Sequence, residues 1–344
     1  MIKTGSLLPE LTNRWLEVNE TETKANTIEG KNYHYKTSMD PLMEISGMEN
    51  IGISQELLES NRNSHNYSKN WTIYHGDLLK EELILNDDNN LLVDHHYISG
   101  PEGHCGILIL EVTAKTDAPL ERNSLIHVDV KEDSFIQLIL IHRLNEKTIH
   151  NISVVANVAD GGALHLTNIE LGDGLTNFHY HCDLKGYEAR TSAYSSYIQG
   201  KEGKLDLYYF IRHLEAFTES NIQVHGALLD SAKKSFRGTL DFPKGCIGSV
   251  GNEEEFSILM SSKAKSIAVP LLLATENNIE GNHAASAGQM DEDLLFYLMS
   301  RGFDRKEAEG MVIEAKMAAS LDRIPDDDLR KALKEEIHER IVSR

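Results

Sequence analysis

From Trp71 to about Asn278 the chain sets one short strand-like segment after another, and no amphipathic helix of ten residues interrupts them. Segments such as GILILEVTAKT, SFIQLILIHRL, HNISVVANVAD and SIAVPLLLATE are rich in Val, Ile, Leu and Thr, and many alternate apolar with polar residues, as a half-buried strand requires. Turn residues punctuate them at Asp160-Gly161-Gly162, Gly172-Asp173-Gly174 and Gly200-Lys201-Glu202-Gly203. Roughly two hundred residues of strand without helix restrict the core to a sandwich, a barrel, a propeller or a β-solenoid. A sandwich of that size would divide into two domains, yet no linker is visible. Successive strands fall about every ten residues, a spacing that suits the stacked coils of a β-helix. The repeat is imperfect and leaves the other β architectures open.

Composition removes several classes of function. The 344 residues carry a formal net charge of −20, which repels a phosphate backbone and argues against a nucleic-acid partner. The three cysteines, Cys105, Cys182 and Cys246, are far apart and form no CxxC pair, so a secreted disulfide framework is not expected. No apolar run is long enough for a signal peptide at the N-terminus or for a membrane span. The expectation is a cytoplasmic protein with no membrane association.

The flanks differ from the core. Residues 1–70 are polar and mixed, with short helices expected over Leu8–Val18 and Ser54–Arg62, and with Asn61–Asn70 reading as a linker to a loosely attached region. Residues 71–288 form the β core and 289–344 a helical C-terminal region. There, Asp304 and Glu307 have capping-box spacing, and Pro325 followed by three aspartates marks another helix start. Leu329, Leu333, Ile337 and Ile341 then form one apolar stripe, which either packs on the protein itself or meets a partner.

No nucleophile elbow, phosphate loop, dinucleotide fingerprint or HExxH zinc motif is present. Among the 16 histidines, His95 and His96 point to opposite faces of a strand and read as surface or interface residues. His179 and His181 share a face, as two ligands would, but zinc needs two more. His213 and His225 suit ordinary polar packing. Cys246 lies in a Gly-rich loop, PKGCIGSVG, where exposure would make it a sulfur acceptor or a soft-metal ligand. Glu253-Glu254-Glu255 reads as a solvated acidic turn; alternatively Glu255 starts a strand and shares its face with Ser257. Glu280-Gly281-Asn282-His283 is a polar knot at the end of an apolar strand, just before helical spacing begins at Leu294, Leu295, Leu298 and Met299.

The stretch Phe236–Phe303 resembles the C-terminal core of the SufB/SufD family of the SUF iron–sulfur cluster assembly system. The residues that carry the resemblance are Phe236-Arg237-Gly238, SILMSSKAKSIAVP, His283-Ala284-Ala285-Ser286 and LLFYLMSRGF, in register without gaps. The resemblance implies a mainly β fold: a right-handed parallel β-helix (β-solenoid) core with helical N- and C-terminal regions. It implies a non-catalytic scaffold subunit whose C-terminal helices dock a SufC-type ABC ATPase. It also implies a homodimer or a SufB/SufD-like heterodimer, a sulfur donor protein as a further partner, and a transient iron–sulfur cluster with no tightly bound cofactor.

Carried over residue by residue, His283 falls on the family's interface histidine. The cysteine ligand of SufB-type members falls on Glu255, and the acidic neighbours of the histidine fall on Asn282 and Ala284. Glu255, Glu280 and Cys246 are therefore the remaining candidates to join His283 as iron or cluster ligands, since iron accepts thiolate, imidazole and carboxylate donors. The absent cysteine also fits a SufD-like accessory subunit that ligates no cluster. A carbohydrate-active β-helix would need carboxylates or a calcium site converging on one face, and none converges in the sequence. A purely structural interaction module is the remaining alternative.

Overall fold

The computed structural model describes residues 2–9, 19–24, 61 and 65–343. Sixteen strands, from β3 (Tyr67–Thr72) to β18 (Ile279–Gly288), alternate between two eight-stranded parallel sheets, the odd-numbered strands in one and the even-numbered in the other. Two strands make one turn, so the core is a parallel β-solenoid of eight turns. The register holds from turn to turn, with Leu175 paired to Lys204, Lys204 to Lys233, and Arg190 to Glu219. Strands thus begin at Leu175, Arg190, Lys204 and Glu219, a wider spacing than the interval of about ten that the sequence suggests. The ten-residue interval is the length of the strands themselves, each followed by a turn of four or five residues.

Alternation assigns the two faces of each strand. Inward residues such as Leu138 and Leu140 of β8 (Phe135–Arg143), Val154 and Ala156 of β9 (Ile149–Val158) and Phe178 and Tyr180 of β11 (Leu175–Leu184) fill the space between the sheets. One column of turns repeats a special backbone residue. Gly103, Asp133, Gly161, Glu188, Phe217 and Gly248 all have positive φ, and each donates its N–H to a carbonyl of the next turn of the solenoid. The left-handed conformation aims that N–H along the stacking axis, so even Phe217, at φ 57°, is held in it.

The outer face of the even-numbered sheet is covered by helices. α1 (Glu292–Ser300) is followed by α2 (Arg305–Leu321) and α3 (Asp327–Val342). Ile139, Ile141, Ile169 and Ile198 of the sheet meet Ile313, Met317, Leu333, Ile337 and Ile341 of α2 and α3 in a second core. The apolar stripe of α3 is thus consumed within the chain. The capping box of Asp304 and Glu307 is formed, and Asp326 caps α3.

The outer face of the odd-numbered sheet carries an antiparallel pair, β1 (Ile2–Leu7) and β2 (Glu20–Lys24). Asn177 donates to Thr23, and Leu8 packs with Tyr208 and Phe210. These described pieces of the N-terminal region are docked, where the sequence suggested loose attachment. The expected helices over Leu8–Val18 and Ser54–Arg62 lie, but for Leu8 and Asn61, outside the described residues. The expected linker ends inside β3, where Tyr67 and Ser68 are buried, and Asn61 donates to the carbonyls of Asp94 and Asn123.

Candidate functional site

The last turns of the solenoid turn carboxylates inward where the turn before them turns aliphatic side chains inward. On β14 (Glu219–Leu228) the inward residues are Ile222 and Val224; one turn later, on β16 (Ser249–Leu259), their register partners are Glu253 and Glu255. On β18 the partners are His283 and Ala285. His283, Glu253 and Glu255 therefore share the inner face of the last two rungs, with neighbouring strands about 4.8 Å apart. The triple glutamate is strand, not a solvated turn: Glu253 and Glu255 are buried and only Glu254 is exposed.

Glu255 is committed to an internal ion pair. Lys234 of β15 (Lys233–Phe242) donates to Glu255 and, at 3.0 Å, to Ser257. Ser257 also meets Tyr197 at 2.6 Å and Ser266 at 3.1 Å. Burial lowers the affinity of Lys234 for its proton, and the Glu255 charge opposes that loss. Glu253 has no such partner: neither of its carboxylate oxygens has a hydrogen bond. It lies over Gly238 of β15, where a Cβ would come within 2.3 Å of the carboxylate, so only glycine leaves it room. Burial, with the Glu255 charge two residues on, pushes the Glu253 carboxyl up to about 8. Lys234 was not among the sequence candidates, and Glu253 was read there only as part of an acidic turn. The period of two that placed Ser257 beside Glu255 also places Glu253 there; Lys234 comes from another strand and left no local signal.

The other sequence candidates are not brought to this face. Glu280 alternates to the opposite face of β18, where Asn282 donates to it at 3.3 Å. Cys246 is fully buried in the turn before β16, its thiol 3.1 Å from the Pro243 carbonyl, and burial raises its pKa. Glu255 lies six residues beyond the start of β16 at Ser249, about 20 Å along an extended strand. The exposed thiol expected from the Gly-rich loop is thus a buried one, because the loop folds inward over the core next to Phe242. Cys182 is also buried, its thiol pushed up to about 12.

His95, His96, His179, His181 and His213 have partners within the solenoid. His95 and His96 are buried, not surface residues. The Trp71 indole donates to His96, whose other nitrogen lies 3.1 Å from Asp94. His179 and His181 share a face as expected, but they stack on Tyr208 and Phe210, and His181 bonds Asp183. His213 bonds Thr218 and Ser220 inside the core.

No described residue covers the last rung itself. β17 (Lys265–Ala274) and β18 are the edge strands of the two sheets at this end; β18 is largely exposed along its length and β17 half-buried. Beyond them α1 buries only Leu295 and leaves Leu294, Phe296, Tyr297 and Met299 exposed, together with Phe303 of the following loop. The described residues thus define a protein of the parallel β-solenoid class, with an open, polar-lined last rung and an apolar helix beside it.

The comparison with known families agrees with that class. Residues 83–316 match the family described as "SUF system FeS cluster assembly, SufBD core domain". The chain is 35% identical over 123 residues to the iron–sulfur cluster assembly protein SufD of Bacillus subtilis, a stretch that covers 36% of this chain and 28% of that protein. It is 27% identical over 192 residues to SufB of the same organism, covering 56% of this chain and 41% of that one. A SufBD family protein of Staphylococcus saprophyticus is 25% identical over 191 residues, with the same shares. The matched stretches thus span less than half the length of these relatives. The chain belongs to the SufB/SufD family of the SUF iron–sulfur cluster assembly system.

Proposed function

We propose that this chain is a non-catalytic scaffold subunit of iron–sulfur cluster assembly, working in the cytoplasm as a dimer and with a SufC-type ABC ATPase. The observation that supports this most is the last rung, which no described residue covers and which carries His283 on its inner face beside two terminal strand edges. A second solenoid, of this chain or of a SufB/SufD-like partner, would pair with those edges and enclose His283. The exposed apolar residues of α1 offer the ATPase a docking surface, since the stripe of α3 is already buried.

The cluster is cargo here, handed on after a sulfur donor protein has supplied sulfide. Within this chain, His283 and the carboxylates of Glu253 and Glu255 would face it, a set without a thiolate that holds a cluster weakly. Glu280 and Cys246 stand apart from that set, so they are not the ligands we favour.

One observation favours the SufD-like version, in which this subunit supports assembly without ligating the cluster. Glu255, at the position of the expected cysteine, is engaged by Lys234, and both described cysteines of the C-terminal half are buried. Co-expression with a SufC-type ATPase tests the assembly role: a stable complex is expected, and its absence with α1–α3 intact would overturn it. Anaerobic reconstitution with iron and sulfide separates the two versions. A cluster spectrum lost in His283→Ala indicates ligation by this chain, whereas no spectrum from the homodimer indicates the accessory role.

A further inference from the structure

Three large apolar side chains stand exposed in the turn column of positive φ, and the function proposed above uses none of them. Tyr187, Phe217 and Ile247 belong to the turns after β11, β13 (Lys204–His213) and β15, three successive turns of the solenoid, and each is nearly half exposed. With turns about 4.8 Å apart, they form a ladder about 10 Å long. The Tyr187 and Phe217 rings meet edge to face, their centroids 5.6 Å apart. The Phe217 ring also lies over Gly248, where a Cβ would come within 2.7 Å of it.

Phe217 is the strained member of the ladder. Its φ of 57° is a conformation that the same column fills elsewhere with Gly103, Gly161 and Gly248, or with Asp133 and Glu188. A bulky aromatic in the left-handed region is strained, and with half of the ring in water, packing inside the chain offsets little of that strain. A residue both strained and exposed marks a surface kept for contact.

The charges beside the ladder are one-sided. Glu188 and Glu215 are exposed in the turns that carry the two rings, and neither carboxylate has a hydrogen bond or an ion pair among the described residues. Glu219 is paired with Arg190 at 3.6 Å, and Asp160 accepts the Tyr187 N–H at 3.0 Å. The two lysines of these turns act elsewhere: the charge of Lys185 bears on His127 and that of Lys244 on Glu276. The chain itself shows what a ring and a carboxylate hold together. Arg237 lies over the Tyr208 ring, its guanidinium 5.0 Å from the centroid, and pairs with Asp206 at 2.6 Å. Such a set suits a planar guanidinium better than the point charge of an ammonium.

We propose that Tyr187, Phe217 and Ile247, with Glu188 and Glu215, form a docking surface for a protein segment that carries an arginine beside an aliphatic side chain. The guanidinium lies against the aromatic pair and meets the two carboxylates, and the aliphatic side chain rests on Ile247. This surface goes beyond the assembly role proposed above and does not depend on it.

The test titrates the full chain into a dye-labelled peptide, Leu-Arg-Gly-Leu amide, and reads fluorescence anisotropy; the same peptide with lysine or with uncharged citrulline in place of arginine is the comparison. Saturable binding is expected, about fivefold tighter for arginine than for lysine and weaker still for citrulline. Phe217→Asn, whose side chain tolerates left-handed backbone, should weaken arginine binding about fivefold or more without lowering the melting midpoint. Glu188→Gln with Glu215→Gln should weaken it to a similar degree, and Lys185→Gln should not weaken it. The proposal is overturned if no saturable binding occurs or if the citrulline peptide binds as tightly as the arginine one. It is equally overturned if Phe217→Asn binds the arginine peptide like the wild type, which would reveal only the general attraction of a cation to a chain of net charge −20. Should Phe217→Asn lower the midpoint, Phe217→Gly repeats the measurement with the residue type that holds this position at Gly161 and Gly248.

Discussion

Glu253 is a carboxyl held inside the last turns without a hydrogen-bond partner, and its cost depends on pH. Its folded-state value of about 8 lies above its ordinary 4.5, so the folded chain binds the proton more tightly than the unfolded one. Stability then falls as pH rises from about 4.5 to 8 and levels off above that range. Glu253→Gln should leave stability unchanged below pH 4.5 and raise it by roughly 2–5 kcal/mol at pH 8 and above, measured by denaturant titration across that range. Lys234 and Glu255, by contrast, are buried with each other as partners. Lys234→Met should cost about 3–5 kcal/mol by stranding a buried carboxylate, and adding Glu255→Leu should recover most of it. A double-mutant cycle with no recovery would show the pair to be weaker than its burial implies.

At the level of elements, the turn column is where local backbone chemistry and stacking meet. Gly248 has φ 75°, and a Cβ there would lie 2.7 Å from the ring of Phe217 in the preceding turn. Gly248→Ala should therefore destabilise by roughly 2 kcal/mol or more, combining left-handed strain with a clash, as a lowered midpoint in urea. The helices illustrate the reach of sequence patterns. The capping box at Asp304, the start at Asp326 and the stripe of α3 were all legible, because each depends on residues three or four apart on one helix. Whether the stripe faced the protein or a partner was not legible. The answer lies in Ile139, Ile141, Ile169 and Ile198, more than a hundred residues away in sequence.

For the whole molecule, the two ends of the solenoid are not equivalent: the C-terminal rung exposes β18 and the apolar side chains of α1. Sedimentation equilibrium should report a dimer for the chain or for its complex with a SufB/SufD-like partner. Lysines introduced together at Ile267 of β17 and Ala284 of β18 should give monomers of unchanged stability by blunting the edges. Phe296→Asp with Tyr297→Asp on α1 should abolish ATPase co-purification and leave the dimer intact. Loss of both associations by either pair would mean that the two surfaces are one.

The sequence by itself determined the strand-rich core, the helical C-terminus and the family, because each rests on short-range periodicity or on a motif contiguous in the chain. It also placed Glu255 and His283, which lie within one uninterrupted stretch of the family resemblance. Only the tertiary structure decided which side chains share an interior. Stacking brings residues a full turn apart into register, so Glu253 meets His283 on one face while Glu280 turns away and Cys246 is left in the turn before the strand that carries Glu255. Neither the distances between coils nor the water they exclude is written in any local pattern, and those two quantities define the inner face of the last rungs.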